Sequence, residues 1–336
     1  MKICIVKLSA MGDIIHAMVA LQFIKKAHPD AHIDWVVESA FAGVLENNPH
    51  IDTILPVNLK AIKKQKSKIV EQYKLLKQYS QNNYDILIDA QGLLKSAIVS
   101  KLIGAKVIAG FDKDSIREGI ASYFYDKKIS IAYDANTIDR NVKVLCEPLD
   151  VSVTREDILK KEAFLFTSRT DGSFKKYPLT LVVGASRVNK IYPKEKFLEL
   201  ITLLKKETLV IWGNNEEYET AKWLEKKSPF VKVAPKGNLD DLKHLVHHSE
   251  LLIGGDTGPT HMAWALNIPS ITLFGNTPGY RNTYKTAINK IIESESKVDP
   301  LKLDKEDFSI QSIKPDLIAT ISTELLKDQS EYRRLQ

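Results

Sequence analysis

The segment LLIGGDTGPTHMAWAL, residues 251–266, decides the fold. Its first residues are apolar and predict a buried strand, and two glycines then lead through Asp256 and Thr257 into a predicted helix. A buried strand, a glycine turn and a helix make the βα unit of a parallel sheet, in which the first N–H groups of the helix lie at the carboxyl edge. The amides of Thr257, Gly258 and Thr260 therefore predict a site for an anion such as a diphosphate.

Helix capping is the competing explanation for this motif. Asp and Thr are favoured at the start of any helix, and a single histidine such as His261 is more often packed in a core than bound to a ligand. Capping alone does not require two preceding glycines or a histidine one turn later. The pattern therefore favours a ligand site.

Apolar runs alternate with amphipathic stretches along the whole chain. Strands are predicted at residues 2–7, 32–37, 53–57, 85–89, 106–110, 179–184, 208–212, 231–234, 251–254 and 270–274. Helices of the first half are predicted at residues 13–27, 66–79, 93–102 and 136–149. This alternation predicts two Rossmann-like α/β domains, each with a parallel sheet covered by helices on both faces.

The polar run TSRTDGSFKK, residues 167–176, separates the two periodic regions. We expect a first domain at residues 1–165 and a second at residues 177–314. The last predicted helix, residues 315–330, is a candidate to pack back on the first domain.

The composition is that of a globular protein of 336 residues, 44% hydrophobic and 27% charged, which is enough for two domains of about 150 residues. Cys4 and Cys146 are too few for a disulfide framework, and neither has metal-site spacing, so a reducing compartment is expected. The N-terminus predicts a strand rather than a signal peptide. No apolar run approaches the roughly 18 residues of a spanning helix.

The formal net charge of +6 comes from a single segment. Residues 60–77 contain seven lysines and one glutamate, so the remainder of the chain sums to zero. This distribution argues against a broad nucleic-acid surface and for one local anionic partner. A solvated, lysine-rich helix face is the alternative.

The loop KLSAMGD, residues 7–13, follows the first predicted strand. Gly12 allows close backbone approach, but the loop is not GxGxxG, which disfavours a dinucleotide-dependent dehydrogenase. Asp13 stands in the first turn of a helix, where the helix dipole alone would stabilise a carboxylate.

Two further loops of the second half carry polar groups after predicted strands. Ala185, Ser186 and Lys190 follow one strand, and Glu217 follows the next. Together with the 251–266 motif they supply a cation, amides and a carboxylate for ribose hydroxyls, a set suited to a nucleoside diphosphate. The DxD triplet at residues 112–114 is interpreted as a turn, and no metal site is predicted.

The chain resembles the heptosyltransferases of lipopolysaccharide inner-core assembly, glycosyltransferase family 9. The resemblance covers nearly the whole chain and is carried by IVKLSAMGDIIHAMVAL, DWVVE, YDILIDAQGLLKSA, SIREGIASYFYDKK, NTIDRNVKVL, NKIYP, GGDTGPTHMAWAL and ITLFG. Asp-Thr-Gly-x-Thr-His at residues 256–261 marks the family. The segments at residues 9–16 and 89–96 favour members that add the first heptose over members that add the second.

The resemblance implies a GT-B fold, with two Rossmann-like domains facing each other across a cleft, and an inverting transfer. Because the sequence shows no convincing pair of metal-binding carboxylates, we expect the reaction to need no metal and no cofactor. The implied donor is ADP-L-glycero-β-D-manno-heptose, and the implied acceptor is a Kdo hydroxyl of Kdo-lipid A. The protein is then expected in the cytoplasm, peripherally associated with the anionic cytoplasmic face of the inner membrane, with no nucleic-acid partner.

The resemblance also implies roles for individual residues. Asp13 matches the catalytic base. Donor contacts are implied for Ala185, Ser186, Lys190, Glu217, Gly237, Asp256, Thr257, Gly258 and His261. Acceptor contacts are implied for Ser9, Gly12, Lys60, Lys63, Lys64, Gln91, Arg117 and Arg140.

Three positions depart from the family pattern. Lysines at residues 60–64 stand where relatives more often have arginines, Asn136 replaces a common histidine, and Gly237 can offer only its backbone to an adenine. Three other functions stay open: addition of the second heptose, epimerisation of a sugar nucleotide, and non-catalytic binding of a nucleotide sugar or lipid A.

Overall fold

Each half of the chain builds its own six-stranded parallel sheet. The computed structural model describes residues 1–169 and 175–334, without the side chains of Lys63 and of residues 329–334. The described residues divide into two units, Met1–Phe166 and Thr167–Gln336. The polar run at residues 167–176 therefore begins where the second unit begins, and residues 170–174 of it lie outside the described residues.

The first unit has its strands in the order β3-β2-β1-β4-β5-β6. They are β1 Lys2–Val6, β2 His32–Glu38, β3 Thr53–Val57, β4 Ile86–Asp89, β5 Val107–Phe111 and β6 Lys127–Ile129. Ile5 of β1 pairs with Trp35 on one side and Ile88 on the other. Central strands are continuous apolar runs because helices cover both faces of the sheet.

Helices of the first unit connect these strands. They are α1 Met11–Met18, α2 Ala20–Ala27, α3 Ala42–Leu45, α4 Leu59–Lys64, α5 Lys68–Tyr79, α6 Leu94–Ile103, α7 Thr137–Cys146 and α8 Arg155–Leu159. Short 3₁₀ turns lie at Ser39–Phe41, Ser80–Asn82, Gly119–Phe124 and Glu147–Leu149. The helix predicted at residues 136–149 gives way to a 3₁₀ turn because Pro148 cannot donate the next helical hydrogen bond.

The second unit repeats the arrangement, with the order β12-β11-β10-β7-β8-β9. Its strands are β7 Leu179–Val182, β8 Thr208–Ile211, β9 Val231–Val233, β10 Leu252–Gly255, β11 Ser270–Phe274 and β12 Asn289–Glu293. Its helices are α9 Lys194–Leu204, α10 Asn215–Lys227, α11 Leu239–His247, α12 Gly258–Ala265, α13 Gly279–Asn282 and α14 Pro315–Arg334. Further 3₁₀ turns lie at Val188–Lys190 and Ser309–Ser312.

Within each unit the first strand lies beside the fourth, and the chain departs from this pair in opposite directions. This is the Rossmann order, and its ligand crevice lies where the strand order reverses. Two Rossmann-like domains are therefore confirmed. The sequence missed the sixth strand of each sheet, since β6 is a three-residue edge strand with two exposed lysines.

Helix α14 packs against α9 within the second unit. Ile318 and Leu325 belong to the buried core of that unit. Tyr192 Oη and Lys196 Nζ both donate to the carbonyl of Ile313, at 2.9 and 3.1 Å. The apolar face of α14 thus helps to complete the core of the second unit, and packing of this helix on the first domain stays a prediction.

No helix among the described residues combines the length and the apolar character needed to cross a membrane.

Candidate active site

Asp256 is the centre of the polar cluster in the second unit. It follows β10, and its side chain is only 8% exposed. Lys190 Nζ lies 2.5 Å from Oδ2, and His261 Nε2 lies 3.1 Å from Oδ1. Thr277 Oγ1 and Asn282 Nδ2 donate to Oδ2 at 3.1 and 3.2 Å. The carboxylate thus receives four side-chain donors.

These donors fix the charge of Asp256. Burial alone would raise the pKa of this carboxyl, but the hydrogen bond from His261 and the charge of Lys190 hold its pKa far below the usual range. A carboxylate held so strongly ionised is a poor proton acceptor. Its geometry suits an orienting role instead.

Close backbone contacts bring Lys190 to Asp256. Lys190 ends the 3₁₀ turn after β7, and a Cβ placed on Gly255 would lie 2.7 Å from the carbonyl oxygen of Lys190. The turn is held from its other side by Asn189 Nδ2, which donates to the carbonyl of Lys305 at 3.0 Å. Gly255 is therefore required by packing, a constraint that capping of α12 would not impose.

The N-terminus of α12 lies beside this cluster. Thr260 Oγ1 donates to the carbonyl of Thr257 at 2.7 Å and accepts from the Thr257 amide at 3.3 Å, so that amide is occupied. The first-turn N–H groups of Gly258 and Thr260 have no partner within the helix. Thr257 Oγ1 is buried and has no hydrogen-bond partner among the described residues. A ligand oxygen would satisfy these groups.

Glu217 lies at the start of α10, next to β7. Its Oε2 accepts from the amide of Gly213 at 2.6 Å, and its Oε1 accepts from Asn214 Nδ2 at 2.8 Å. A Cβ on Gly184, in the loop after β7, would lie 2.0 Å from the carboxyl carbon of Glu217, so a larger residue there would displace this side chain. A depression of about 510 Å³ lies over Asn214, Asn215 and Glu216, within the range of small-molecule sites.

The other predicted donor residues of this unit lie on the same edge of its sheet. Ala185 and Ser186 occupy the loop after β7, half-buried and exposed respectively. Gly237 is exposed just before α11, and a Cβ there would lie 2.6 Å from the side chain of Asp241.

In the first unit, hydrogen bonds to Gln91 hold the loop after β1 in place. The amides of Leu8 and Ser9 both donate to Gln91 Oε1 at 3.0 Å. Gln91 is held in turn by its own amide, which donates to Asp89 Oδ1 at 2.9 Å. Asp13 is partly exposed in the first turn of α1, next to Gly12, and accepts from the Ala10 amide at 3.2 Å. The structure thus places Ser9 against Gln91, and Asp13 in the helix turn that follows this loop.

Buried charges beneath this loop were missed by the sequence reasoning. Lys7 is buried and donates to the carbonyl of Ala90 at 2.8 Å. Burial lowers the pKa of Lys7, and the nearby carboxylates of Asp13 and Asp89 oppose that shift. Glu38 at the end of β2 is also buried, and its Oε1 has no hydrogen-bond partner in the described part of the chain. A charged residue at the end of an apolar strand was the sequence signal that could have identified Lys7 and Glu38.

The basic residues predicted to contact an acceptor have different surroundings. Lys60 Nζ lies 5.0 Å from the centre of the Phe41 ring, while Lys64 and Arg117 are exposed. Lys63 lies in α4, and its side chain is outside the described residues.

Arg140 differs from these residues because it is buried. Its guanidinium donates to the carbonyls of Ser115 and Ala132 at 2.5 and 2.6 Å and stacks on Phe111. In this geometry Arg140 secures the segment between β5 and α7, because these donors are directed at main-chain carbonyls, and its role at the acceptor stays a prediction.

The DxD triplet forms a local bend. Asp112 Oδ1 accepts from the amide and the hydroxyl of Ser115, at 2.9 and 2.5 Å. Within residues 1–169 and 175–334, no group of three or more His, Cys, Asp or Glu is arranged to hold a metal ion.

Two Rossmann-like units, each with a six-stranded parallel sheet, match the GT-B class of glycosyltransferases. The chain belongs to glycosyltransferase family 9, the heptosyltransferases, whose family model matches residues 72–305.

Individual relatives agree with the family assignment. Lipopolysaccharide heptosyltransferase 1 of Campylobacter coli is 40% identical, and the alignment covers 98% of this chain and all of that protein. Its Escherichia coli K12 counterpart is 33% identical over 84% of this chain and 91% of its own length. The structure of E. coli heptosyltransferase WaaC with ADP-2-deoxy-2-fluoro heptose superposes with a TM-score of 0.81 at 27% identity, covering 96% and 99% of the two chains.

Three residues of the second-unit site were not predicted from the sequence. Thr277 and Asn282 come from the segment after β11, the strand next to β10, and Gly184 lies just after β7. Position at the carboxyl end of a strand beside the switch point was the signal that could have found them.

Proposed function

We propose that this protein transfers L-glycero-D-manno-heptose from ADP-heptose to a Kdo hydroxyl of Kdo-lipid A, with inversion, in lipopolysaccharide inner-core synthesis. The observation that carries the proposal is the anion site around Lys190 and the N-terminus of α12, at the switch point of the second unit. The similarity to lipopolysaccharide heptosyltransferase 1 along 98% of the chain supports the choice of heptose and of acceptor.

The donor side is assigned to the second unit. Lys190 and the first-turn amides of α12 bind the diphosphate and stabilise the charge that develops on departing ADP. Glu217, already bonded to backbone and side-chain amides, accepts hydrogen bonds from the ribose hydroxyls. Asp256 keeps Lys190 and His261 in place and accepts hydroxyl hydrogen bonds from the heptose.

The acceptor side is assigned to the first unit, with Asp13 as the general base. Asp13 removes the proton from the Kdo hydroxyl, and the oxygen attacks the anomeric carbon from the face opposite ADP. One carbon–oxygen bond forms while the bond to the diphosphate breaks, and the proton stays on Asp13. The partial exposure of Asp13 and its single weak contact with the Ala10 amide support this role.

The decisive test replaces Asp13 by Asn. Loss of the base predicts a fall in kcat of about 10²–10⁴-fold, while the KM for ADP-heptose stays within a few-fold of the wild-type value. Release of ADP is measured with ADP-heptose and Kdo-lipid A together and with each omitted. Asp30→Asn, at an exposed aspartate of the same unit, is the matched control.

Each alternative function has its own outcome in this assay. Full activity of Asp13→Asn overturns the assignment of the base. Activity only on an acceptor that already carries a heptose identifies addition of the second heptose. Conversion of the nucleotide sugar without acceptor identifies an epimerase, and binding of both ligands without turnover identifies a binding protein.

The proposed chemistry assigns charge stabilisation to Lys190 and the helix amides and assigns no step to a metal ion. We therefore expect ADP release to continue at an undiminished rate in excess chelator. Loss of turnover that one divalent ion restores would contradict this part of the proposal. An acidic lipid acceptor also places the enzyme at the anionic cytoplasmic face of the inner membrane, where Lys60, Lys64 and Arg117 supply positive charge.

A further inference from the structure

Helix α5 exposes apolar side chains on one face. Ile69, Val70 and Tyr73 are spaced so that they share one side of the helix, and Lys77 lies over the Tyr73 ring at 5.9 Å. The buried residues of α5, Gln72 and Leu76, lie on the adjoining face, next to Ile69. The exposed side therefore combines apolar side chains with an ammonium group at its border.

Neighbouring elements carry further exposed apolar side chains. Helix α6 packs against α5, and the 3₁₀ turn Gly119–Phe124 packs against α6. Ile98 is exposed on α6, and Ile120 and Tyr123 are exposed on the turn. We call these six side chains the α5–α6 face: Ile69, Val70, Tyr73, Ile98, Ile120 and Tyr123, each between 44% and 78% exposed.

Exposed large apolar side chains are concentrated on this face. In the described part of the first unit, the others are Met1 and Leu159. A cluster of this kind marks a docking surface, whereas singly scattered apolar residues need no explanation.

Most charged residues around the α5–α6 face are lysines. Helices α5 and α6 carry five lysines, Lys68, Lys74, Lys77, Lys95 and Lys101. Glu71 is their one acidic residue, and it pairs with Lys68 at 2.6 Å. Lys128 Nζ lies 5.8 Å from the centre of the Tyr123 ring.

Acidic groups at the edges of the face are engaged by the backbone. Glu118 Oε2 accepts from the amide of Leu94, and Asp126 Oδ2 accepts from the amide of Ile108, both at 2.8 Å. The surface therefore offers an excess of positive charge around its apolar centre.

We infer that the α5–α6 face docks the protein on an anionic lipid bilayer, with its apolar side chains in the headgroup region and the lysines directed at lipid phosphates. The inference rests on the proposed function, since it places an enzyme with a lipid acceptor on that lipid. Apolar groups bordered by lysines are the composition of interfacial helices, and tyrosine is favoured at that depth. The one-sided charge complements an anionic bilayer.

Sedimentation of the full chain with lipid vesicles tests the inference. We compare vesicles of phosphatidylcholine alone with vesicles containing phosphatidylglycerol. Wild-type protein should bind the anionic vesicles preferentially, and Ile69→Ser/Val70→Ser/Tyr73→Ser and Ile120→Ser/Tyr123→Ser should each reduce its partitioning at least about tenfold. Leu203→Ser/Leu317→Ser, at exposed leucines of the second unit, is the matched apolar control and should bind as wild type.

A charge series separates the two contributions. Lys74→Glu/Lys77→Glu should reduce binding to anionic vesicles at least about tenfold and lose its effect at high salt. Lys226→Glu/Lys227→Glu makes the same charge change on exposed lysines of α10 and should leave binding unchanged.

Three outcomes overturn the inference: wild-type binding by the face variants, equal binding to neutral and anionic vesicles, or a change in oligomeric state on serine substitution, which would identify a second copy of the chain as the occupant. Activity is measured separately on a deacylated, water-soluble Kdo acceptor without vesicles, where face variants should match wild type. Absence of transfer by wild-type protein in that assay rejects the proposed function, and the vesicle result still decides the docking surface.

Discussion

The two units use one strand order to build different charge arrangements at the switch point. In each, a lysine that follows the first strand reaches the fourth strand or the loop after it. Lys190 of the second unit meets the carboxylate of Asp256, whereas Lys7 of the first unit donates to the main-chain carbonyl of Ala90. The same frame thus presents an ion pair in one unit and a buried cation without a carboxylate bond in the other.

The aspartates at the ends of β4 and β10 differ in the same way. Asp89 is completely buried and accepts from Tyr125 Oη at 2.7 Å and from the amides of Gln91 and Gly92. Burial raises its pKa, and these neutral donors only partly oppose the shift. For Asp256, a cation and a histidine reverse the balance. The charges that surround a carboxylate, rather than its place in the fold, decide whether it supports a loop or belongs to an anion site.

We expect lysine-to-methionine variants to show the largest difference between the switch points of the two units. We expect Lys190→Met to lower kcat/KM for ADP-heptose by about 10²–10³-fold, because the diphosphate loses its cation. Lys7→Met should leave the KM for ADP-heptose unchanged and destabilise the fold by about 1–3 kcal/mol, since a buried carbonyl loses its donor. Steady-state kinetics and thermal unfolding report the two effects. Lys206→Met, at an exposed lysine of the second unit, is the control.

The proposed difference between Lys190 and Lys7 is contradicted if Lys190→Met and Lys7→Met change the kinetics in the same way. Equal loss of donor affinity in both would mean that Lys7 also serves the donor. Unchanged kinetics of Lys190→Met would show that Lys190 only stabilises Asp256 and does not bind the donor diphosphate.

Asparagine variants of the two aspartates should change stability with opposite pH dependence. The pKa of Asp256 is lowered in the folded protein, so its stabilisation is present above its ordinary pKa and is lost as pH falls toward the folded value. Asp256→Asn should therefore cost about 3 kcal/mol near neutral pH and less in acid. The pKa of Asp89 is raised, so its ionisation destabilises the fold as pH rises from the ordinary value through the folded value. Asp89→Asn should consequently gain stability relative to wild type as pH rises.

Denaturant unfolding of the three proteins between about pH 2 and about pH 7 measures both slopes, with that of Asp256 in the acid part of the range and that of Asp89 above its ordinary pKa. Two slopes of the same sign would show that the surroundings of Asp89 and Asp256 are electrostatically equivalent. The charges around each carboxylate would then be no guide to its role.

Features of the fold that depend on hydrophobic periodicity and on position at the end of a strand were predicted from the sequence. Ten of the twelve strands, the two Rossmann-like units and the edge of the sheet where Lys190, Glu217 and Asp256 lie all follow from apolar runs and from the loops that end them. The edge strands β6 and β12 were not predicted, because short, partly exposed strands lack an apolar run. The packing partner of helix α14 was left open, because its apolar spacing gives a buried face but does not identify the partner, α9.

Roles of individual side chains depended on contacts that spacing does not encode. Arg140 was predicted at the acceptor, but its position in the buried segment of α7 directs the guanidinium to main-chain carbonyls. Thr277 and Asn282 reach Asp256 from more than twenty residues away. Gly184 and Gly255 matter through close packing that appears only once both strands are placed.

The smallest expected effect concerns the basic segment, which occurs in the first unit alone. Lys60→Glu/Lys64→Glu should raise the KM for Kdo-lipid A about tenfold, as expected when exposed lysines face an anionic ligand. The KM for ADP-heptose should stay unchanged, and added salt should shrink the difference because exposed charges are screened. Lys226→Glu/Lys227→Glu, on α10 of the second unit, controls for net charge. Equal changes in both KM values would make residues 60–77 a solvated helix surface, and the division of donor and acceptor between the two units would lose its electrostatic basis.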